Sequence, residues 1–467
     1  MTTRPPGPKG NPLLGSLFDF ARSPGNFLLE IARQYGDVVY FRILNMPYYL
    51  LTNPDDIREL LVNQADKFRK SQLDYDILSR FLGNGLLTNE GASHKRQRRL
   101  AQPAFHSKRI QAYAETMVAY TEDLLDEWRD NEVRDVSEEM MRLTMNIVSK
   151  TLFSADPTAA AANVVGDAIH VLQGVSNRAY LRGFTLPEWL PTQDNRHAKA
   201  ALTAYDHHLE QIITQRHAAA TDGTLTDNGD LLSMLMLARD EDGSAMSDKQ
   251  LRDEVATLFA AGHETTSNAL TWTWYALSQN PDVEARLHEE LDEVLRGRTL
   301  TLTDLPNLPY TLMVIKETMR LYPPAWILSA RTPMEDVTIG RTFIPKGSNV
   351  TVAPYAQHRL ARYFPDPERF DPERFTPERE KQLPKYAYLP FGAGPRVCIG
   401  NSFAMMEAQL ILATIAQRYR LRLAPHQEVK QAMQITLSPE NGLKMRLETR
   451  AAASSFTPSA MPILQPA

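Results

Sequence analysis

Residues 391–400 run Phe391-Gly392-Ala393-Gly394-Pro395-Arg396-Val397-Cys398-Ile399-Gly400, and a helical run from Asn401 to Tyr419 follows. Cys398 is the single cysteine of the 467-residue chain. A thiol just ahead of a helix meets unpaired backbone N–H groups and the positive end of the helix dipole, which favour thiolate over thiol. The glycines let backbone approach a flat cofactor and aim amides at the sulfur, while Arg396 can pair with an anionic group nearby. An isolated cysteine is most often a buried structural thiol. Here the residues around it reverse that balance toward a metal ligand.

Other chemistries fail on the residues themselves. A dinucleotide-binding GxGxxG starting at Gly392 would need glycine at 397, where the chain has Val397. One thiol excludes intramolecular disulfides, Cys-based zinc fingers, Cys-ligated iron–sulfur clusters and the CxxCH attachment of c-type heme. With Lys plus Arg at 51, Asp plus Glu at 56 and a net charge of -5, general binding to nucleic acid or anionic membrane is disfavoured. No apolar run reaches the roughly 18 to 20 residues that span a bilayer, and Met1 to Ser16 has no apolar signal region. A cytoplasmic protein without a transmembrane segment is expected.

Helical periodicity dominates, over residues 26–35, 55–63, 112–129, 137–153, 198–218, 248–279, 283–296 and 312–322. Strand-like stretches are fewer and shorter, at 38–43, 48–52, 337–339, 349–353 and 442–447. The expected class is mainly α with small β-sheets (α+β). A Pro/Gly-rich lead-in spans 1–16, one large helical domain spans 17–450, and a disordered tail spans 451–467. The Pro-rich stretch from Pro354 to Pro395 is too long for an ordinary connection unless it wraps a functional site.

Inside the 248–279 helix lies Ala260-Ala261-Gly262-His263-Glu264-Thr265-Thr266-Ser267. Gly262 costs roughly 1 kcal/mol there relative to alanine. A local widening of the helix, with the Thr265 hydroxyl and a displaced carbonyl facing a small ligand, would offset that cost. A zinc-binding HExxH would need histidine at 267, and Ser267 excludes it.

Phe391, Gly394, Arg396, Cys398 and Gly400 together resemble the heme-binding loop of the cytochrome P450 family. The resemblance implies a single helical domain enclosing a noncovalent heme b, with Cys398 as the axial ligand of its iron. Ala261 to Thr265 is similar to that family's oxygen-binding groove, so Glu264 and Thr265 are expected to deliver the two protons that dioxygen cleavage consumes. Glu317 and Arg320 match its ExxR helix and Arg374 the arginine completing that triad, which implies a structural role. Residues 91–99 resemble its WxxxR helix, with His94 in place of tryptophan and Arg98 kept; Arg331 matches a second propionate-binding arginine. His94 can donate a ring N–H, with a charge expected to vary with pH.

By position in the family, Tyr75, Leu82, Leu86, Leu87, Ala261, Ile327 and Leu437 line the substrate pocket, and their apolar character suggests a lipophilic molecule such as a fatty acid or terpenoid. The implied reaction inserts one oxygen atom from O2 into a C–H bond. No flavin, nicotinamide or Cys-rich module is present in the sequence, so electrons are expected from NAD(P)H through a separate ferredoxin or flavodoxin with its reductase. Lys95, Arg96, Arg98 and Arg99 form a basic cluster where such an acidic partner could dock. Two alternatives stand beside this: a heme-thiolate peroxygenase fed by hydrogen peroxide, which has no need of a Thr265 relay, and a heme-based gas sensor, for which no output domain is appended.

Overall fold

The computed structural model describes residues 4–155, 159–221, 229–239 and 243–450; the tail assigned to 451–467 lies outside them. Its centre is the helix Asp248–Gln279. Ser247 caps it, the hydroxyl accepting from the Gln250 N–H at 3.2 Å. Most of its circumference is buried, including Trp272 and Trp274, which is the pattern of a helix running through a core rather than along a surface.

Two helices flank it. Val136–Phe153 is capped by Asp135, whose carboxylate accepts from the Ser137 N–H at 3.0 Å. A Cβ added to Gly262 would lie 3.2 Å from Val148 Cγ2, so the glycine admits a close crossing of these two helices. The Thr144 hydroxyl fastens that crossing by donating to the His263 carbonyl at 3.0 Å. The expected widening at Gly262 is absent: the helix stays α-helical from end to end. Also packed against it is Asn401–Arg418, which follows the cysteine loop and is buried along most of its length.

A five-stranded sheet lies to one side, in the order Val38–Ile43, Met46–Leu51, Asn349–Thr351, Arg331–Pro333, Phe68–Lys70. Met46–Leu51 and Asn349–Thr351 pair in parallel, with Tyr49 opposite Val350, and the other pairs are antiparallel. The sheet thus delivers Lys70 and Arg331, cross-strand partners, to one place. Smaller sheets pair 133–135, 444–449 and 419–423, and separately 431–433 with 437–439 and 337–339 with 342–344.

The Pro-rich stretch contains only short pieces of helix, Pro354–Gln357, Pro372–Phe375 and Pro377–Glu380. An ion-pair network holds it. Arg320 forms a bidentate pair with Glu317 at 2.7 and 2.8 Å, and both side chains are fully buried. Its other N–H groups donate to the carbonyls of His358, Pro367 and Arg369 at 2.9, 2.7 and 3.1 Å. All five guanidinium donors are therefore used, which is what makes a buried cation tolerable. Arg374 adds an ion pair to Glu317 at 3.3 Å, and the Asp371 N–H donates to the same carboxylate at 2.8 Å. Glu317, Arg320 and Arg374 thus meet as the sequence suggested, on the irregular chain that leads to the cysteine.

Candidate active site

The loop 391–400 folds back on itself: the Cys398 N–H donates to the Phe391 carbonyl at 2.9 Å and the Val397 N–H to the Gly394 carbonyl at 3.0 Å. Gly394 has φ +69°, and a Cβ there would fall 1.8 Å from the Leu61 carbonyl oxygen. That glycine is required by the turn and by its contact with the π-helical turn Glu59–Asn63, and it does not itself line the cavity described below. Arg98 pins the loop from the side, donating to the Val397 carbonyl at 2.7 Å. Arg396 turns the other way, to the Asn89 carbonyl at 2.7 Å and the Glu90 carboxylate at 2.6 Å.

Cys398 is exposed and lines a cavity of about 540 Å³. Burial pushes its thiol above the usual cysteine range, opposed by a backbone hydrogen bond from Gly400 and by the Arg98 charge. The expected preference for thiolate at the helix start is thus outweighed in the protein by desolvation, and a metal cation at the sulfur is what would reverse it. Phe391, Ile399 and Gly400 line the cavity on the cysteine side, and Ala261, Gly262 and Thr265 on the side of the central helix.

A crowd of bases completes the wall: His94, Arg98, Arg331, Arg396 and Lys70. Sequence reasoning missed Lys70, since nothing local marks it; the sheet pairing to Arg331 brings it in. Burial and then the neighbouring Arg331 and Arg396 lower Lys70 to about 7, and burial and then Arg396 lower Arg331 to about 10. His94 is lowered to about 3, by burial first and then by Arg396, Lys70, Arg98 and Arg331. Burial and these neighbouring cations thus oppose charging of the His94 ring. Buried positive charge in such excess calls for an anion. A flat dianionic porphyrin with its iron at Cys398 and its carboxylates among these bases fits the donor set.

On the central helix, alternate residues separate. Ala261 and Thr265 face the cavity, whereas Glu264 is buried behind them and accepts a short hydrogen bond from the Thr436 hydroxyl. Asn268 extends the chain, donating to Thr436 at 3.1 Å. Burial pushes the Glu264 carboxyl above the usual range, partly offset by Thr436 and Gln173. The Thr265 hydroxyl donates to the Ala261 carbonyl at 3.1 Å, the ordinary back-bond of a helical threonine, so the carbonyl is not displaced.

Of the residues expected around a substrate, Leu86, Leu87, Ala261 and Ile327 line the cavity. Tyr75, Leu82 and Leu437 do not. Tyr75 points to the surface, 39% exposed, while Leu82 and Leu437 are core residues. The helix and strand periods explain the misses: the cavity takes Leu73, Asp74 and Leu78 from the Gln72–Leu82 helix, and Thr436 rather than its neighbour Leu437. The basic cluster at 95–99 divides as well, with Arg98 turned inward to the cysteine loop, Arg96 bonded to Gln250 and Ser244, and Lys95 and Arg99 exposed.

The comparisons with known proteins agree with this geometry. The profile of the family "Cytochrome P450" matches residues 5–446. Cyclooctatin synthase of Streptomyces melanosporofaciens is 41% identical over 92% of this chain and 93% of its own. From the same organism, cyclooctat-9-en-7-ol 5-monooxygenase is 37% identical over 90% of this chain and 89% of its own. Pentalenene oxygenase of Streptomyces avermitilis is 34% identical over 95% and 97%. Among solved structures, the retinoic acid-bound cyanobacterial CYP120A1 superposes with a TM-score of 0.84 at 26% identity, covering 96% of this chain and 100% of that one. With the cysteine loop, the cation-lined cavity and the buried ion-pair triad in place, the chain belongs to the cytochrome P450 family and is a monooxygenase of that family.

Proposed function

We propose that this enzyme hydroxylates a lipophilic, terpene-like substrate, drawing electrons from NAD(P)H through a separate ferredoxin or flavodoxin and its reductase, with residues 17–450 acting as one heme-binding unit. A b-type heme, when bound, supplies the iron at which dioxygen is activated. Cys398 would ligate that iron and Arg98, Arg331, His94 and Lys70 would hold the propionates, with Arg396 already committed to Glu90. The chain's own part is then to exclude water, to orient the substrate over the cavity floor and to bring protons to one point.

The Thr265 hydroxyl is the group to which that last task is assigned. It now satisfies its proton on the Ala261 carbonyl, and a rotation about χ1 would present it to the cavity instead. Glu264, next along the helix and buried, is the acid that could reload it once its own bond to Thr436 is released. The apolar lining supports a hydrocarbon-rich substrate, as do relatives whose names specify pentalenene, an alkene, and cyclooctat-9-en-7-ol, an alkenol.

The observation that carries this reading is that the Cys398 thiol and the Thr265 hydroxyl open onto the same largely apolar cavity. The test is turnover under 18O2 with NADPH, a plant-type ferredoxin and its reductase, on a panel of terpenes. One 18O atom per product molecule is expected. Product formed only from hydrogen peroxide would replace this reading by a peroxygenase, and no product from either oxidant would remove the enzymatic reading of the cavity.

A further inference from the structure

One end of the cavity is polar without any need of the heme. Asp74, on the Gln72–Leu82 helix, lines it together with Tyr180 and Asn177 of the Ala159–Arg182 helix, Ser329 of the segment before the Arg331–Pro333 strand, and Tyr48 of the Met46–Leu51 strand. Ser329 donates a short hydrogen bond to the Asp74 carboxylate, and the Tyr180 hydroxyl donates to it as well. Three further segments thus converge on one acid.

The acid's bonded partners are neutral hydroxyls, not a guanidinium or an ammonium. Lys70 and Arg331 act on it only through their field, and burial still leaves its carboxyl above the usual range. An ionised carboxylate can accept about four hydrogen bonds, and two are taken here. The remaining acceptor capacity faces a cavity that carries many leucine, isoleucine, phenylalanine and methionine side chains beside the bases at its heme-side wall. A carboxylate kept in such a place and left short of donors is costly unless the molecule that fills the cavity brings one.

We propose that Asp74, Tyr180 and Ser329 form a subsite for an alcohol hydroxyl, so that the substrate is a terpene alcohol and not a bare hydrocarbon. The substrate O–H donates to the Asp74 carboxylate, and the Asn177 amide can donate to the alcohol oxygen in return. A site that hydrogen-bonds a substrate hydroxyl rejects the analogue that lacks it, because the buried polar groups then lose their partner. Such a substrate already carries oxygen, so an earlier hydroxylation or a cyclisation quenched by water must supply it. The inference rests on the cavity being the substrate chamber, as proposed above.

The experiment is a spectral titration of the heme-loaded enzyme, following the spin-state shift, with matched pairs: cedrane and cedrol on a C15 skeleton, abietadiene and abietadienol on a C20 skeleton. In wild type the alcohol of at least one pair is expected to bind about tenfold more tightly or better. In Tyr180→Phe and Ser329→Ala that preference shrinks severalfold, and in Asp74→Ala it is lost while the hydrocarbon's own affinity holds or improves. Should Asp74→Ala fail to take up heme, the other two variants decide. Equal affinity within both pairs in wild type, or a preference that survives all three variants, overturns the subsite and leaves the lipophilic-substrate reading standing. A wild-type enzyme that responds to neither member of either pair overturns both.

Discussion

Thr265 donates its hydroxyl to the Ala261 carbonyl, yet the same side chain lines the cavity opposite Cys398. Thr265→Ala is therefore expected to fold, bind heme and consume NADPH, but to yield at least about tenfold less product per NADPH, with hydrogen peroxide released in its place. Product and peroxide measured together check this; unchanged coupling would remove Thr265 from proton delivery. Glu407 offers a separate test. It is fully buried on the Asn401–Arg418 helix with neither carboxyl oxygen in a close hydrogen bond, so burial raises its pKa well above 4.5, only partly opposed by Thr266. The folded state thus holds this proton to higher pH than the unfolded chain, and stability falls as pH rises above about 4.5. Glu407→Gln should melt close to wild type near that pH and a few degrees higher at pH 8. Cys398, Arg98 and Arg331 were legible in the sequence because each sits in a short local pattern. Lys70, Asp74 and Glu407 were not, since they become neighbours of the cavity or the core only through pairings distant in sequence.

At the scale of elements, the Glu317–Arg320 pair is the joint on which the long irregular segment turns. Arg320→Leu removes the bidentate partner of the fully buried Glu317 carboxylate, leaving it only Arg374 and the Asp371 N–H, and frees three carbonyls, so a loss of about 3–5 kcal/mol is expected, with poor heme uptake. Urea unfolding with heme stoichiometry checks it; a variant of wild-type stability would show the network to be dispensable. The sequence pattern located Asp248–Gln279 at both ends because its serine cap and its apolar length are strong local signals. It overlooked Ala159–Arg182, whose alanine-rich start and scattered polar residues give a weak apolar stripe, and it joined Pro54–Arg58 to the π-helical turn Glu59–Asn63 as one helix. Short strands such as Phe68–Lys70 and Arg331–Pro333 were missed too, as they lack the alternating β-branched residues that marked Val337–Ile339. The widening foreseen at Gly262 failed for a related reason: the sequence shows a glycine but not the Val148 side chain that packs against it.

For the whole molecule, the net charge of -5 conceals a polarity at the Gly91–Ala101 helix. Its inner face holds His94 and Arg98 at the cavity and the cysteine loop, and its outer face exposes Lys95 and Arg99. An acidic electron donor steered to that outer face would arrive on the cysteine side. Lys95→Glu is expected to slow reduction by ferredoxin severalfold at low salt and to flatten its salt dependence, leaving substrate-induced spectral shifts unaltered. An unchanged low-salt rate would place the docking face elsewhere. Among the described residues no helix is long and apolar enough to cross a membrane.

The catalytic expectations depend on the Cys398 sulfur bonding, as an anion, to heme iron. The most direct measurement is the absorption spectrum of the heme-loaded protein after reduction and exposure to carbon monoxide, for wild type and Cys398→His. Wild type should give the strongly red-shifted Soret band of thiolate ligation, and the variant should lose it while keeping heme. A wild-type band at the position seen with histidine-ligated heme, or a red-shifted band that persists in the variant, would contradict the account.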